Sequence, residues 1–479
     1  ASASSGLINF LSMPARWLRS GSTLAPDFFL RNLLRDTGTA AIFSKSGRGI
    51  GGLPIITTFR GLIHMYRGRD KKVADSIVRD FEKSGAMQSM LVSFDRKYFD
   101  KKILNELYNT PVRNLIKSPL ETLRIFSELA EQTTRVAEFN TAYKKAKAEG
   151  LSEKAALERA GFEGRDITID FAKIGAKMQA VNRIVAFINA RVQGYAKLYE
   201  SFRDQPMRTS ARIFAQIMLP SALLWYVNKD DPVYKALPRW QKDLFYIVIV
   251  GEGDDATVYR IPKPFELGVV FGTGTEKLLD FVTDRSSDDD LKKFVGDLLE
   301  DNTKGLMPIP QFLMPFVENY FNKSLFTGQP IVPRGTEGIL PEYQHSPYNS
   351  EVSKALGTII AEIDKETLAA SPARIDSLIR GWTGTLGQYA LAIADKALIA
   401  SGFVDDPIKP EATLADIPII KAFVVRNPSA GSSYVEKFYD YYGPVAQAFA
   451  TLNKVDDPLE KQKILEDINE RIGFDSLVL

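Results

Sequence analysis

The sequence predicts a mainly α protein: an elongated multi-helix architecture with long helices, one β-hairpin and a Pro-rich extended arm. Apolar residues recur at steps of three and four over 118–149 and over 167–203, which is helical periodicity. Two short β-branched runs flank a turn at 251–255. Seven prolines between 308 and 347 exclude a long helix there. These observations predict four regions: 1–117 as a basic N-terminal helical region, 118–243 as a long-helix core, 244–349 as hairpin, short helices and Pro-rich arm, and 350–479 as a C-terminal helical region.

The N-terminal region concentrates positive charge. Residues 1–72 contain eleven Lys and Arg against three Asp, a net charge of +8, whereas the whole chain has a net charge of +2. Two interpretations stand: contact with an anionic partner such as nucleic acid, lipid headgroups or an acidic protein face, or ordinary solvated helix faces. On the first interpretation, the residues predicted to face DNA are Arg60, Arg67, Arg69, Lys71 and Lys72.

A glycine-rich stretch also lies in this region. Gly47, Gly49 and Gly52 match G-x-G-x-x-G, but Pro54 follows and no strand–helix alternation surrounds the motif. The pattern favours a hinge over a phosphate-binding loop.

Two helices dominate the predicted core. Ser118-Pro119-Leu120-Glu121 combines a capping serine, a first-turn proline and a glutamate, so a helix is predicted from there to about Glu149, ended by Gly150. The stretch from Ile167 to Arg203 has no internal proline and predicts one helix of roughly 55 Å. Ile188 is expected to be buried in it, so that Ile188→Asp destabilises the fold.

The most apolar segment of the chain is Arg212–Asn228. Gln216 and Pro220 interrupt it, and it is too short to span a bilayer comfortably. It is interpreted as a buried core helix, with insertion into a membrane after a rearrangement as the alternative. Downstream, 284–290 resembles a calcium loop only in charge, and helix capping by Ser287 or Asp288 is the preferred interpretation.

Composition restricts the chemistry of this sequence. It contains no cysteine and two histidines, His64 and His345, so thiolate sites and multi-histidine metal sites are excluded or nearly so. No Walker loop, G-x-S-x-G or H-E-x-x-H motif is present, and no carboxylate pair stands out by spacing. We therefore predict no catalytic, cofactor-binding or metal-binding residues and no enzymatic activity in this sequence, without extending this to the rest of a longer polypeptide. The chain begins Ala-Ser-Ala-Ser-Ser without an initiator Met, which fits a fragment or a processed product.

Several strings resemble one family when taken together. LAPDFFLRNLLRDT, INARVQGYAKL, YRIPKPFELG, SPARIDSLIRGWTGTLGQY and IPIIKAFVVRNPSAGSSYVEKFY occur in order between Leu24 and Tyr439. They resemble the large polyvalent protein-associated region of tailed-phage internal virion proteins, also called ejection proteins.

The resemblance implies a specific role. Such proteins lie inside the capsid near the portal, leave with or before the genome and help it cross the host envelope. It implies as partners other copies of the chain in a ring, the portal and other internal virion proteins, phage DNA without sequence preference, and the host membrane after ejection. The alternative is an enzymatic domain, processing peptidoglycan or nucleic acid, within a large polyvalent phage protein.

Overall fold

The computed structural model describes residues 2–45, 76–84, 119–168, 181–306, 309–325, 328–333, 336–405, 407, 413–417, 419–426, 448, 451–452, 454–455 and 457–472. Helices form most of this part of the chain, as the sequence predicts, and the strands form one small antiparallel sheet. The fold class is therefore confirmed as mainly α.

The first half of the chain is helical in every described segment. Its helices are α1 Ser2–Thr23, α2 Pro26–Phe43, α3 Ser76–Lys83, α4 Pro119–Ala148, α5 Glu153–Asp166, α6 Ile188–Asp204, α7 Pro206–Ile213, α8 Leu219–Asn228, α9 Pro232–Ala236 and α10 Arg239–Leu244. A wide π turn, Phe214–Met218, joins α7 to α8.

Helix α4 has the predicted bounds and packs along α5. Gly150 follows it at φ +83°, a left-handed conformation that glycine adopts without steric cost. Phe81 of α3, Phe139 of α4 and Ala160 of α5 form the buried core between these helices. The Ser152 side chain caps α5 by accepting from the Ala155 amide at 3.3 Å.

The prediction of one continuous helix over 167–203 is wrong. The described residues are helical over 181–184 and again from Ile188, and Phe187 between them has φ +63°. The Gln311 amide donates to the Ile184 carbonyl at 3.0 Å, at the position where a continuous helix would use the Ile188 amide. A tertiary contact thus replaces the helical hydrogen bond at the break. Ile188 is buried, with 4% of its surface exposed, as predicted.

The predicted hairpin is present. Strand β1, Phe245–Val250, pairs antiparallel with β2, Thr257–Pro262, in a register that places Val248 opposite Tyr259. A third strand, β3 Val424–Val425, extends the sheet beyond β2 and was not predicted. Its two residues are too few to show strand periodicity in the sequence.

The second half continues with helices and irregular chain. The helices are α11 Phe265–Leu267, α12 Gly274–Val282, α13 Asp288–Leu306, α14 Met314–Tyr320, α15 Glu351–Ile363, α16 Pro372–Ala400 and α17 Pro458–Ile472. A second π turn, Gly268–Thr273, joins α11 to α12. Short 3₁₀ turns occur at Gly253–Asp255, Pro341–Tyr343, Leu368–Ala370, Leu414–Asp416 and Ile420–Ala422.

Ser287 caps the start of α13. This confirms one of the two residues predicted to cap the helix, and with it the preference for a helix cap instead of a calcium loop. The Ser287 hydroxyl accepts from the Asp290 amide at 3.3 Å, and the Asp290 carboxylate accepts from the Ser287 amide at 3.0 Å. This reciprocal pair is a capping arrangement for the helix start.

The Pro-rich segment lies across α16. The Gln311 side chain donates to the Gly381 carbonyl at 3.1 Å, and the Trp382 indole donates to the Phe312 carbonyl at 3.3 Å. Helix α1 packs along α16 as well, and α16 bends at Gly384, which has φ +62°. A Cβ at Gly384 would lie 2.6 Å from the Ser22 hydroxyl, so only glycine fits this crossing.

Candidate interaction surface and its buried supports

The apolar segment 206–228 exposes one row of apolar side chains at intervals of four residues. We call this row the apolar ridge; its members, all exposed, are Met207, Ala211, Ala215, Leu219, Leu223 and Val227. Phe214 and Tyr226 flank it and are also exposed. No Asp, Glu, Lys, Arg or His lies between residues 213 and 228. The ridge therefore has no charged residue beside it along the π turn and α8, whereas Arg208 and Arg212 lie between its first members on α7.

The exposed apolar area is large. Met207 exposes 83% of its surface, Leu223 60% and Val227 72%, while Phe214 exposes 56% and Tyr226 68%. At about 150–200 Å² for each large side chain, these residues and Leu219 present roughly 600 Å². That is at the upper end of the largest patch on a typical monomer, about 300–600 Å², and such patches mark interaction sites.

The π turn at Phe214–Met218 shapes the ridge. In an α-helix, a row at four-residue steps drifts around the axis by about 40° per step. A π turn has more residues per turn, so it counteracts the drift and keeps the row on one side. The turn also precedes Pro220, which has no amide hydrogen to donate back along the helix.

The opposite face of the same segment is buried and fixed by side-chain hydrogen bonds. Ile213, Ile217 and Ser221 are buried there. The Trp225 indole donates to the Asp280 carboxylate of α12 at 2.7 Å, and the Asn228 amide donates to the Ile247 carbonyl of β1 at 2.8 Å. The segment is thus a core helix on one face, as predicted, and an exposed apolar surface on the other, which the sequence analysis missed.

The second π turn packs closely against α8. Gly272 faces α8 so closely that a Cβ there would lie 2.8 Å from the Ser221 hydroxyl and 3.3 Å from the Ile217 side chain. A Cβ at Gly268 would lie 2.4 Å from the Cβ of Lys263. The two glycines therefore let the second π turn approach both α8 and the end of β2.

A buried ion pair between Lys263 and Glu276 lies next to this contact. The Lys263 ammonium donates to the Glu276 carboxylate at 2.8 Å, to the Thr273 hydroxyl at 2.9 Å and to the Lys242 carbonyl at 3.0 Å. The Lys263 side chain has no exposed surface. Burial raises the pKa of Glu276, and it also raises the pKa of nearby Asp243. With all three ammonium hydrogens accepted, the pair joins the hairpin to α12 and leaves Lys263 no donor for a ligand.

A second buried polar junction holds α7 against the N-terminal helices. The Arg212 guanidinium donates to the carbonyls of Ile42 and Ser44, at 2.9 and 2.6 Å, at the carboxyl end of α2. The Ser44 hydroxyl in turn donates to the Glu138 carboxylate of α4 at 2.8 Å. A cation at this helix end complements the helix dipole. Burial lowers the pKa of Arg212 to about 10, so it stays charged at neutral pH.

A small cavity adjoins this junction and has acidic residues in its wall. Its lining includes Asp36, Asp166, Glu200 and Glu266, together with Lys197. Lys197 and Lys45 form ion pairs with Asp166, and Arg191 lies 3.7 Å from Glu266. The cavity holds about 60 Å³, which is room for a few water molecules and not for a sugar or nucleotide.

The sequence-predicted DNA-facing residues, Arg60, Arg67, Arg69, Lys71 and Lys72, lie outside the described residues, as does the glycine motif at 47–52. Among the residues that the structure covers, no group of His, Asp and Glu has the arrangement of a metal site. Within the same residues, no helix combines the length and apolar character needed to cross a membrane.

The family comparison finds a large polyvalent protein associated domain in part of the chain, and this domain links that part to large polyvalent phage proteins. The matching model is that of large polyvalent protein associated domain 38, over residues 231–420, and within those residues it confirms the resemblance to the large polyvalent protein-associated region. No curated protein and no solved structure matches the chain.

The matched region contains the hairpin, the Lys263–Glu276 pair and α16. The apolar ridge lies just before it in the sequence, and Trp225 and Asn228 fasten the ridge to α12 and β1 of that region. The description of the family names an associated domain and no activity.

Proposed function

We propose that this chain is an internal virion (ejection) protein of a tailed bacteriophage, which builds a core or channel that helps the genome cross the host envelope. The observation that carries the proposal is the apolar ridge, an exposed row of apolar side chains that is hydrogen-bonded to the region matched by the large polyvalent protein family model. A protein that acts by assembly needs such contact surface, whereas turnover needs a pocket with positioned reactive groups.

The charged groups inside the described part support a structural role. Lys263 and Glu276 bind each other, Arg212 binds the end of α2, and Asp166 forms ion pairs with two lysines. Paired in this way, these groups join helices. The enzymatic alternative would need a reactive carboxylate facing a substrate-sized hollow, and the acidic cavity is too small for that.

The proposal includes a location and a set of partners. The protein lies inside the virion near the portal and passes to the host envelope on ejection. Its partners are further copies of itself in a ring, the portal, other internal virion proteins, and, after ejection, the host membrane. Arg60, Arg67, Arg69, Lys71 and Lys72 contact phage DNA without sequence preference, through their positive charge.

Quantitative mass spectrometry of purified particles tests the proposal. Full particles are compared with particles emptied by triggered ejection, and the major capsid protein is the internal standard. We expect several copies of the chain per full particle and a large loss on emptying. A chain absent from full particles, or retained in equal amount after emptying, would refute the role. Cleavage of peptidoglycan or nucleic acid by the purified protein would favour the enzymatic alternative.

A further inference from the structure

We infer that the apolar ridge binds the same ridge on a second copy of this chain, in a two-fold contact between the α7–α8 segments. The inference rests on the proposed function for its setting in the particle, and it names the partner of one particular surface. A two-fold contact closes at two copies, so it is additional to the head-to-tail contacts that a ring requires.

The spacing of the ridge fits a second helix of the same kind. Side chains at four-residue intervals form the rows that interdigitate in the commonest class of helix packing, with axes crossing near −50°. Two such rows run side by side here: the ridge itself, and the row of Phe214, Met218, Ala222 and Tyr226. Ala211, Ala215 and Ala222 are small, so they leave hollows between the larger side chains. The surface therefore offers both projections and hollows to an identical partner.

The exposed area is sufficient for a specific contact. Each ridge together with Phe214 and Tyr226 presents roughly 600 Å² from its large side chains, so a symmetric pair buries at most about 1,200 Å² in total, the lower end of the standard interface size. The identical surfaces carry no charged side chain between residues 213 and 228, so they meet without repulsion.

The charges at the two ends of the ridge favour a protein over a lipid partner. Arg203 pairs with Asp204 at 2.9 Å near one end, and Lys229 lies 3.6 Å from Asp230 at the other. Arg285 binds Asp230 as well, at 2.8 Å. Surfaces that bind anionic bilayers carry an excess of cations around the apolar face. Arg203, Lys229 and Arg285 each have an acidic neighbour, so lipid headgroups gain little electrostatic attraction from them. Arg208, beside Met207, donates to the Lys45 carbonyl and the Gln205 side chain.

Sedimentation equilibrium of the purified chain is the first test. We expect the wild-type chain to dimerise at micromolar concentration. Leu223→Asp places a charge at the centre of the contact and should raise the dissociation constant at least a hundredfold. Ile363→Asp is the matched control: it changes a residue that is 86% exposed on α15, away from the ridge, and should leave the constant within twofold. Circular dichroism checks that both variants remain folded, as expected for exposed positions.

Disulfide pairing gives the second test, because the chain has no cysteine of its own. Leu219→Cys and Leu223→Cys, introduced singly, should form covalent dimers on mild oxidation. Ser221→Cys lies on the same helix but is fully buried, and should not. Dimers that are insensitive to Leu223→Asp, or that give no disulfide at either ridge position, would overturn the ridge-to-ridge contact.

A monomeric wild-type chain would also overturn it. If that monomer binds vesicles of phosphatidylcholine and phosphatidylglycerol through Leu223, the partner of the ridge is lipid instead. If it remains monomeric without binding vesicles, another segment or protein covers the ridge. Neither result alters the particle mass spectrometry, so the proposed function and the ridge contact fail separately.

Discussion

Removing one partner of the Lys263–Glu276 pair should destabilise the protein, and the effect of pH should reveal which partner was removed. Glu276→Leu leaves the Lys263 ammonium fully buried without its carboxylate. Lys263→Met leaves the Glu276 carboxylate buried without its ammonium, and also removes the donor to Thr273. Breaking a buried pair in this way typically costs about 3–5 kcal/mol.

The loss of stability cannot exceed the free energy needed to neutralise the partner that remains buried. A lysine in water loses its proton near pH 10.4, so neutralising one at pH 7 costs about 4.6 kcal/mol. A glutamic acid titrates near pH 4.3, so protonating one at pH 7 costs about 3.7 kcal/mol. Burial already raises the pKa of Glu276, and without Lys263 it should take up a proton. Lowering the pH to 5.5 should then reduce the loss in Lys263→Met by about 2 kcal/mol.

Glu276→Leu should show the opposite trend, because acid keeps the remaining lysine charged. The double variant Lys263→Met/Glu276→Leu has no buried charge at this position and should recover most of the stability that the single variants lose. The assay is urea unfolding of the four proteins at pH 5.5 and pH 7, followed by tryptophan fluorescence, with amide exchange of Phe245–Pro262 reporting the hairpin. Equal pH trends in the two single variants, or a double variant as unstable as their sum, would refute the reasoning.

Three further predictions concern other buried contacts. Arg212→Leu should lower the free energy of unfolding by about 2–4 kcal/mol, since the α2 carbonyls lose their donors. Arg203→Leu, on an exposed side chain, should leave the free energy of unfolding nearly unchanged in the same urea titration. Asp376→Asn should cost about 1–3 kcal/mol and speed amide exchange at the start of α15, because the carboxylate accepts from the Ser350 amide at 3.0 Å. Burial lowers the pKa of His345 to about 4. The stability that the neutral imidazole contributes is therefore fully present above pH 6.5 and is lost as the pH falls towards 4. His345→Asn should remove up to about 3 kcal/mol of this pH dependence of the free energy of unfolding, measured by urea unfolding across this range.

Much of the local structure could be predicted because its causes lie in neighbouring residues. The start of α4 follows from Pro119, and its end from Gly150. The hairpin follows from two β-branched runs and the turn between them. These signals act over a few residues, so tertiary contacts had little to add.

The candidate site was only half predictable. The apolar character of Arg212–Asn228 indicated burial, but the structure buries Ile217 and Trp225 and exposes Leu223 and Val227. The sequence signal for the exposed row is the four-residue spacing of apolar residues from Met207 to Val227. Composition alone does not distinguish a fully buried helix from one with an exposed apolar face, since both are equally apolar.

The sequence by itself determined the helical class, the hairpin, the absence of cysteine chemistry and the family resemblance, because periodicity, turn residues and composition are properties of the chain. Only the tertiary structure decided where the helix after residue 181 breaks and which residues pair in the interior. The Ile184 carbonyl accepts from Gln311, more than a hundred residues away in the chain, and Lys263 finds Glu276 across the second π turn. Such contacts depend on how distant segments meet, because a backbone or charged group takes the partner that the folded chain brings within hydrogen-bond distance.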